Sequence, residues 1–225
     1  MPQYLIDKRW KFLRHLNIRT IIDVGANEGQ FLKEVYNIFP NAEFYSFEPL
    51  RDCFDKLTGQ FKNNRRVHTF NFALGEEDGE IILSRSSASE SSSILKMARL
   101  HKNLFPHTAN LFEEKVKIKR LDDIFENMII QDFILLKIDV QGAEEKVIRG
   151  AIQLLKKVNI IITEVSYTTL YEDQPLFKDI LNLLLDHKFT FVGMLEQFVS
   201  PSTSAPLFAD AIFVKKEMQD VLYGS

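Results

Sequence analysis

The sequence predicts an α/β domain built on a largely parallel sheet with helices on both faces. Short apolar runs alternate with amphipathic stretches along the chain, the rhythm of strands joined by covering helices. Residues 134–138 and 160–163 are almost unbroken apolar runs, as strands buried on both faces tend to be. The 225 residues, 45% apolar and 26% charged, suit one generous domain with a sizeable core better than two.

The elements follow in order. An N-terminal helical segment, about 1–18, carries Trp10 and Phe12. The first strand is 20–24, ended by Gly25. A helix is expected over 28–39, where Phe31, Leu32, Val35 and Ile38 share one face and Pro40 stops it. The second strand, 43–47, is punctuated by Pro49, and a helix spans 51–62. The third strand is 67–73, and a turn over 75–79 leads to a short strand at 81–84. Residues 84–93 are serine-rich and read as a flexible loop that could order as a lid. They open a variable insert, about 84–114, with mixed helical character over 94–112. Then come an exposed strand at 115–120, a buried strand at 134–138, a helix at 144–157 and a buried strand at 160–163. Pro175 opens a helix that His187 ends, followed by strands at 189–194 and 209–214. No internal repeat is visible.

Composition excludes some classes of function. Lys and Arg total 28 against 31 Asp and Glu, a net charge of −3, without the clustered basic surface of a nucleic-acid binder. The single cysteine, Cys53, rules out an internal disulfide framework and reads as a small core residue. The 19 Phe are spread out and read first as core. No apolar run is long enough to span a bilayer. The charged start, with Asp7, Lys8, Arg9 and Lys11, lacks the apolar centre of a signal peptide. The expectation is a cytoplasmic protein.

The sharpest chemical signal is Asp23-Val-Gly25-Ala-Asn27-Glu28-Gly29, where a strand passes into a helix. Glycine there lets the backbone approach a ligand, and the following helix aims unpaired amides at it. Glu48 ends the next strand, where a carboxylate can accept both hydroxyls of a ribose. A dinucleotide fingerprint needs glycines where Asn27 and Gln30 stand. The spacing therefore favours a nucleoside with an amino-acid tail over a pyrophosphate. Further acids, Asp139 and Glu164, end two later strands and should face the same crevice.

At these residues the sequence resembles the FkbM family of S-adenosylmethionine-dependent methyltransferases. The likeness rests on Ile22-Asp-Val-Gly-Ala-Asn-Glu-Gly29, Phe47-Glu-Pro49, Ala73-Leu-Gly75 with Gly79, Leu121-Asp122, and Lys137-Ile-Asp-Val-Gln-Gly-Ala-Glu144 running on to Gly150-Ala151. The resemblance implies a Rossmann-like, seven-stranded, mostly parallel sheet whose last strand is antiparallel. It implies S-adenosyl-L-methionine as cofactor, lined by Asp23, Gly25, Asn27, Glu28 and Gly29. Glu48 and Pro49 would stand at the ribose, Ala73 and Leu74 would flank the adenine, and Asp139 would lie near the methionine end or the acceptor. It further implies methylation of sugars, glycolipids, polysaccharides or secondary metabolites.

A hydroxyl acceptor loses a proton on methylation, which calls for a base or a metal that acidifies it. The candidates are Asp139 and Glu164, with His107 and His101 in the insert. A divalent metal on Asp139, Glu164 and a histidine would suit hard oxygen ligands, but no compact ligand motif supports it. Tyr167 and Tyr171 could line an acceptor cleft or simply pack. Two alternatives stay open: a nicotinamide-type oxidoreductase, and a cofactor-binding partner protein without turnover. The sequence leaves the acceptor and the oligomeric state undetermined.

Overall fold

A computed structural model describes residues 8–86, 92–108 and 111–223. The strands are β1 (Thr20–Val24), β2 (Glu43–Phe47), β3 (Val67–Phe70), β4 (Ala73–Leu74), β5 (Gly79–Ser86), β6 (Leu111–Lys119), β7 (Ile134–Ile138), β8 (Val158–Ser166), β9 (Phe189–Val199) and β10 (Pro206–Lys215). The α-helices are α1 (Gln30–Val35), α2 (Arg51–Phe61), α3 (Arg99–Leu104), α4 (Leu121–Phe125), α5 (Glu144–Arg149), α6 (Phe177–Asp186) and α7 (Gln219–Tyr223).

Seven strands form one sheet in the order β3-β2-β1-β7-β8-β10-β9. Pairing is parallel from β3 through β8, and β10 runs antiparallel to both β8 and β9. The predicted sheet, with its reversed last strand, is therefore present. Alternation along the strands sends side chains to two apolar layers. Ile21, Phe44, Leu135, Ile160 and Ile162 meet Trp10, Leu13, Phe31, Leu32 and Leu57 on one face. Ile22, Phe47, Leu136, Ile138 and Ile161 meet Val147, Ile148, Leu155, Ile180 and Leu184 on the other. Each such fully buried side chain contributes about 1.5–3 kcal/mol.

Three expected elements are divided. The strand expected over 67–73 stops at Phe70, because Asn71 donates its side-chain amide to the Glu48 and Pro49 carbonyls at 2.9 Å each. The chain then leaves the main sheet, and β4 joins a second, three-stranded sheet ordered β4-β6-β5. The helix expected over 144–157 ends at Arg149, and a 3-10 turn, Leu154–Lys156, follows. Gly150 is why: a Cβ there would lie 1.9 Å from the Gly75 carbonyl oxygen, so the break seats the second sheet on the first. The helix expected over 28–39 is continuous only over α1 before a turn.

Other elements run longer than expected. β5 and β6 pair antiparallel over eight positions, and β9 continues to Val199 through register shifts against β10. Residues 94–112 hold α3 and a 3-10 turn, Pro106–Thr108. Of the serine-rich segment, 87–91 lie outside the described residues. Its base is closed by paired backbone bonds between Ser84 and Ser93, at 2.8 and 3.1 Å. In the N-terminal segment, Lys8–His15 is a 3-10 helix that buries Trp10. Cys53 is buried as expected. No helix among the described residues is long and apolar enough to cross a membrane.

Candidate active site

Because β1 lies between β2 and β7, the chain order reverses at its carboxyl end, the place where open α/β sheets bind ligands. A cavity of about 350 Å³ opens there. Its walls come from the ends of β1, β2, β7 and β8, from β4, and from β10, whose reversed direction brings its first half to this end. Lining one side are Gly25, Asn27, Glu48, Pro49, Ala73 and Leu74. Lining the other are Lys137, Asp139, Gln141, Glu164 and Asp210. Ser92, Ser93, Phe198 and Phe208 border it too. Phe198 and Phe208 stack with ring centres 4.5 Å apart.

The β1–α1 loop explains much of its own sequence. Gly25 has φ +79°, and a Cβ on it would fall 1.8 Å from the Asp139 carbonyl oxygen. The absent side chain therefore admits the protein's own backbone, besides any ligand. Gly29, at φ +86°, would press a Cβ to 2.8 Å from Leu57 Cδ1 and does not line the cavity. Asn27 also takes the left-handed region, φ 47°. Its amide donates to Glu48 Oε2 at 2.8 Å, and the Leu50 amide donates to Glu48 Oε1 at 2.8 Å. Glu48 thus clasps the loop to the start of α2. Burial pushes its carboxyl up to about 7, against the two amide bonds that pull it down. Each oxygen keeps a second lone pair for a ligand.

Besides Gly29, two further expected cofactor residues do not reach the cavity. Glu28 points away and pairs with Lys56 at 2.6 Å. Asp23 is buried behind the wall, opposite Lys137 in the β1–β7 register. Neither of its carboxylate oxygens accepts a hydrogen bond, and the Lys137 ammonium lies 4.0 Å away. Burial pushes Asp23 up to about 6, moderated by Lys137.

The wall formed by β7, β8 and β10 concentrates charge. Lys137 Nζ contacts Asp139 Oδ2 at 3.1 Å. Burial alone would lower its pKa, but Asp139, Asp23 and Asp210 together hold it raised. Glu164 and Asp210 stand directly opposite in the β8–β10 register, an unfavourable pairing of like charges. Burial, then Asp139, Glu144 and Asp210, push Glu164 well above the usual carboxylate range. Asp210 rises to about 6 by burial and the Asp139 charge. Gln141 bridges the group: its Nε2 donates to Asp139 Oδ1 at 3.0 Å and Glu164 Oε2 at 3.1 Å.

The structure brings Asp139 and Glu164 together and leaves His107 apart, exposed in the 3-10 turn and outside the cavity wall. His101, the other candidate histidine, is buried, bonded through Nε2 to Thr108 Oγ1 at 3.1 Å, and does not line the cavity. Tyr171 is buried, whereas Tyr167 is more exposed. No group of three or more His, Cys, Asp or Glu among the described residues is arranged to hold a metal.

Lys137, Gln141 and Asp210 did not stand out as site residues in the sequence. For Lys137 and Asp210 a signal was present. Each is a lone charge inside an apolar strand, Leu-Leu-Lys-Ile and Ala-Asp-Ala, and such a charge needs a partner or a function. Gln141 carried no comparable signal, since its role depends on a turn conformation.

The chain is similar to known proteins in sequence and in fold. The methyltransferase FkbM domain matches residues 23–191. The chain is 28% identical over 170 residues to the 2-O-methyltransferase NoeI of Sinorhizobium fredii, covering 73% of this chain and 70% of that protein. It is 26% identical over 164 residues to Methyltransferase 1 of Beauveria bassiana, covering 66% and 64% respectively. Among solved structures it is similar to precorrin-6y C5,15-methyltransferase of Geobacter metallireducens, with a TM-score of 0.49, 10% identity and 94% and 92% of the two chains covered.

Proposed function

The chain belongs to the FkbM methyltransferase family, and from that premise we propose that its cavity binds S-adenosyl-L-methionine and methylates a hydroxyl oxygen of a small-molecule or glycan acceptor. The residues present fit the cofactor. Glu48, beside the apolar Ala73 and Leu74, offers acceptors for a ribose. Across the cavity, Asp139 and Asp210 offer negative charge to a sulfonium, and Lys137 is a cation that suits the methionine carboxylate. The cofactor supplies an activated methyl group, and its transfer to oxygen requires the hydroxyl proton to leave.

The chain's own residues handle that proton and the orientation. Asp139, ion-paired with Lys137 and half-buried at the wall, accepts it. Glu164, driven toward its neutral form by burial, orients the hydroxyl. Enclosure and alignment of the two reactants supply much of the rate. An oxygen acceptor accords with the name of the NoeI relative, a 2-O-methyltransferase. Sugars, glycolipids, polysaccharides and hydroxylated secondary metabolites are the acceptor classes to screen.

The observation that carries the reading is Glu48 at the end of β2, in the cavity wall and clasping the glycine loop. Calorimetric titration with S-adenosylmethionine tests it. Wild-type protein should bind in the micromolar range. Glu48→Gln keeps an acceptor for only one of the two backbone amides and removes the charge, and should weaken binding roughly ten- to a hundredfold. Wild-type affinity should also rise as pH passes through about 7 and Glu48 ionises. No binding by folded wild-type protein would overturn the reading.

A further inference from the structure

Gln141 occupies the turn between β7 and α5 at φ 56°, a region that non-glycine residues rarely adopt. Glu144 holds that turn, its Oε1 accepting the Val140 and Gly142 amides at 3.0 and 3.1 Å. The turn aims the Gln141 side chain back over the cavity. Its Nε2 reaches Asp139 and Glu164, and its Oε1 accepts the Tyr171 hydroxyl at 3.0 Å. The amide has one sensible orientation, because turning it over would set its oxygen against two carboxyl groups. Tyr171 is fixed in turn by burial, by an edge-to-face contact with His101, ring centres 5.0 Å apart, and by Gly142, where a Cβ would lie 3.1 Å from Tyr171 Cδ2. The Gln141 carbonyl accepts the Ser93 hydroxyl at 2.6 Å, and Ser92 and Ser93 border the cavity.

Building on the methyltransferase reading of this cavity, we propose that Gln141 is a positioning residue: its side-chain amide holds Asp139 and Glu164 in one fixed arrangement at the acceptor end and its backbone carbonyl fastens Ser93 to them. Two carboxyl groups facing one hydroxyl would otherwise swing apart. The amide, donating one hydrogen to each, sets their separation while leaving each a lone pair for the acceptor. The tie to Ser93 makes the base of the serine segment part of the same scaffold.

The test reads Glu164 by carboxyl carbon NMR across a pH titration, without cofactor or acceptor, so it stands apart from the cofactor assignment. Glu164 is faced by Asp139 and Lys137 from β7, Glu144 from α5, Asp210 from β10 and Tyr171. Loss of the amide donor in Gln141→Leu should raise its midpoint by about one pH unit, while Glu48 titrates as before. An unmoved Glu164 midpoint in folded Gln141→Leu would overturn the proposal. Should that variant fail to fold, Tyr171→Phe removes only the hydroxyl behind the amide. It should raise the same midpoint by less, and no rise there overturns the proposal equally. Ser93→Ala should speed amide exchange at Val140 and Gly142 several-fold, and unchanged exchange would remove the serine segment from the scaffold.

Discussion

At position 25 the chain carries glycine because the Asp139 carbonyl occupies the space a side chain would need. A methyl group 1.8 Å from that oxygen cannot be absorbed by a rotamer change, since the obstacle is backbone. Gly25→Ala should cost about 3 kcal/mol or more, or prevent folding. Gly29→Ala meets only side chains, Leu57 Cδ1 at 2.8 Å and Phe61 Cε2 at 3.4 Å, and should cost about 1–2 kcal/mol. Urea unfolding of the two variants checks the ranking, and equal losses would contradict it. The acids Glu48, Asp139 and Glu164 were legible because each closes an apolar strand, where the fold class puts ligands. Asp23 sits two strand positions before the level of Glu48 and Asp139, so its side chain lies below the cavity, beside Lys137. His107 illustrates the reverse: its chemistry suits a base, but nothing local in sequence says which way an insert faces.

Among the elements, the strands of the main sheet were the most legible, and 134–138 matches β7 at both ends. The divided elements were not, because distant residues impose the breaks. Asp122 is one such residue. Its carboxylate accepts the Gln153 and Leu154 amides at 2.9–3.1 Å, capping the 3-10 turn that replaces the expected long helix. Asp122→Ala should cost about 1–2 kcal/mol by leaving those amides unpaired. Thermal unfolding measures it, and an unchanged midpoint would show that the cap contributes nothing. The short β4 could not be separated from β3 by pattern, since Asn71 and Phe72 differ little from strand residues. What divides the two is the Asn71 amide reaching back to Glu48 and Pro49.

Over the whole molecule, the site is a concentration of acids that folding makes harder to ionise. Asp23 and Asp210 are raised to about 6, and Glu48 and Glu144 to about 7, in each case first by burial. A carboxyl whose pKa rises on folding stabilises the chain in its protonated form. That contribution is complete below about pH 4 and is lost as pH climbs through 6 to 7. For Glu48 alone the change is on the order of 3 kcal/mol. The ligand-free protein should therefore be a few kcal/mol more stable at pH 5.5 than at pH 8, by urea unfolding at the two values. Equal stability would mean the acids are better solvated than their burial implies. This clustering was only partly visible in sequence: a net charge of −3 does not reveal that carboxyls from five strands converge.

The chain has one tryptophan, Trp10, and its position makes the protein its own optical instrument. Trp10 is 3% exposed, its indole N–H is bonded to Glu34 Oε2 at 2.7 Å, and its ring packs edge-to-face with Phe31, ring centres 5.2 Å apart. Phe31 is itself part of the cavity wall. A single emitter thus stands one ring behind the place where a ligand would rest, and its light carries both the seating of the N-terminal segment and the filling of the cavity, without a label.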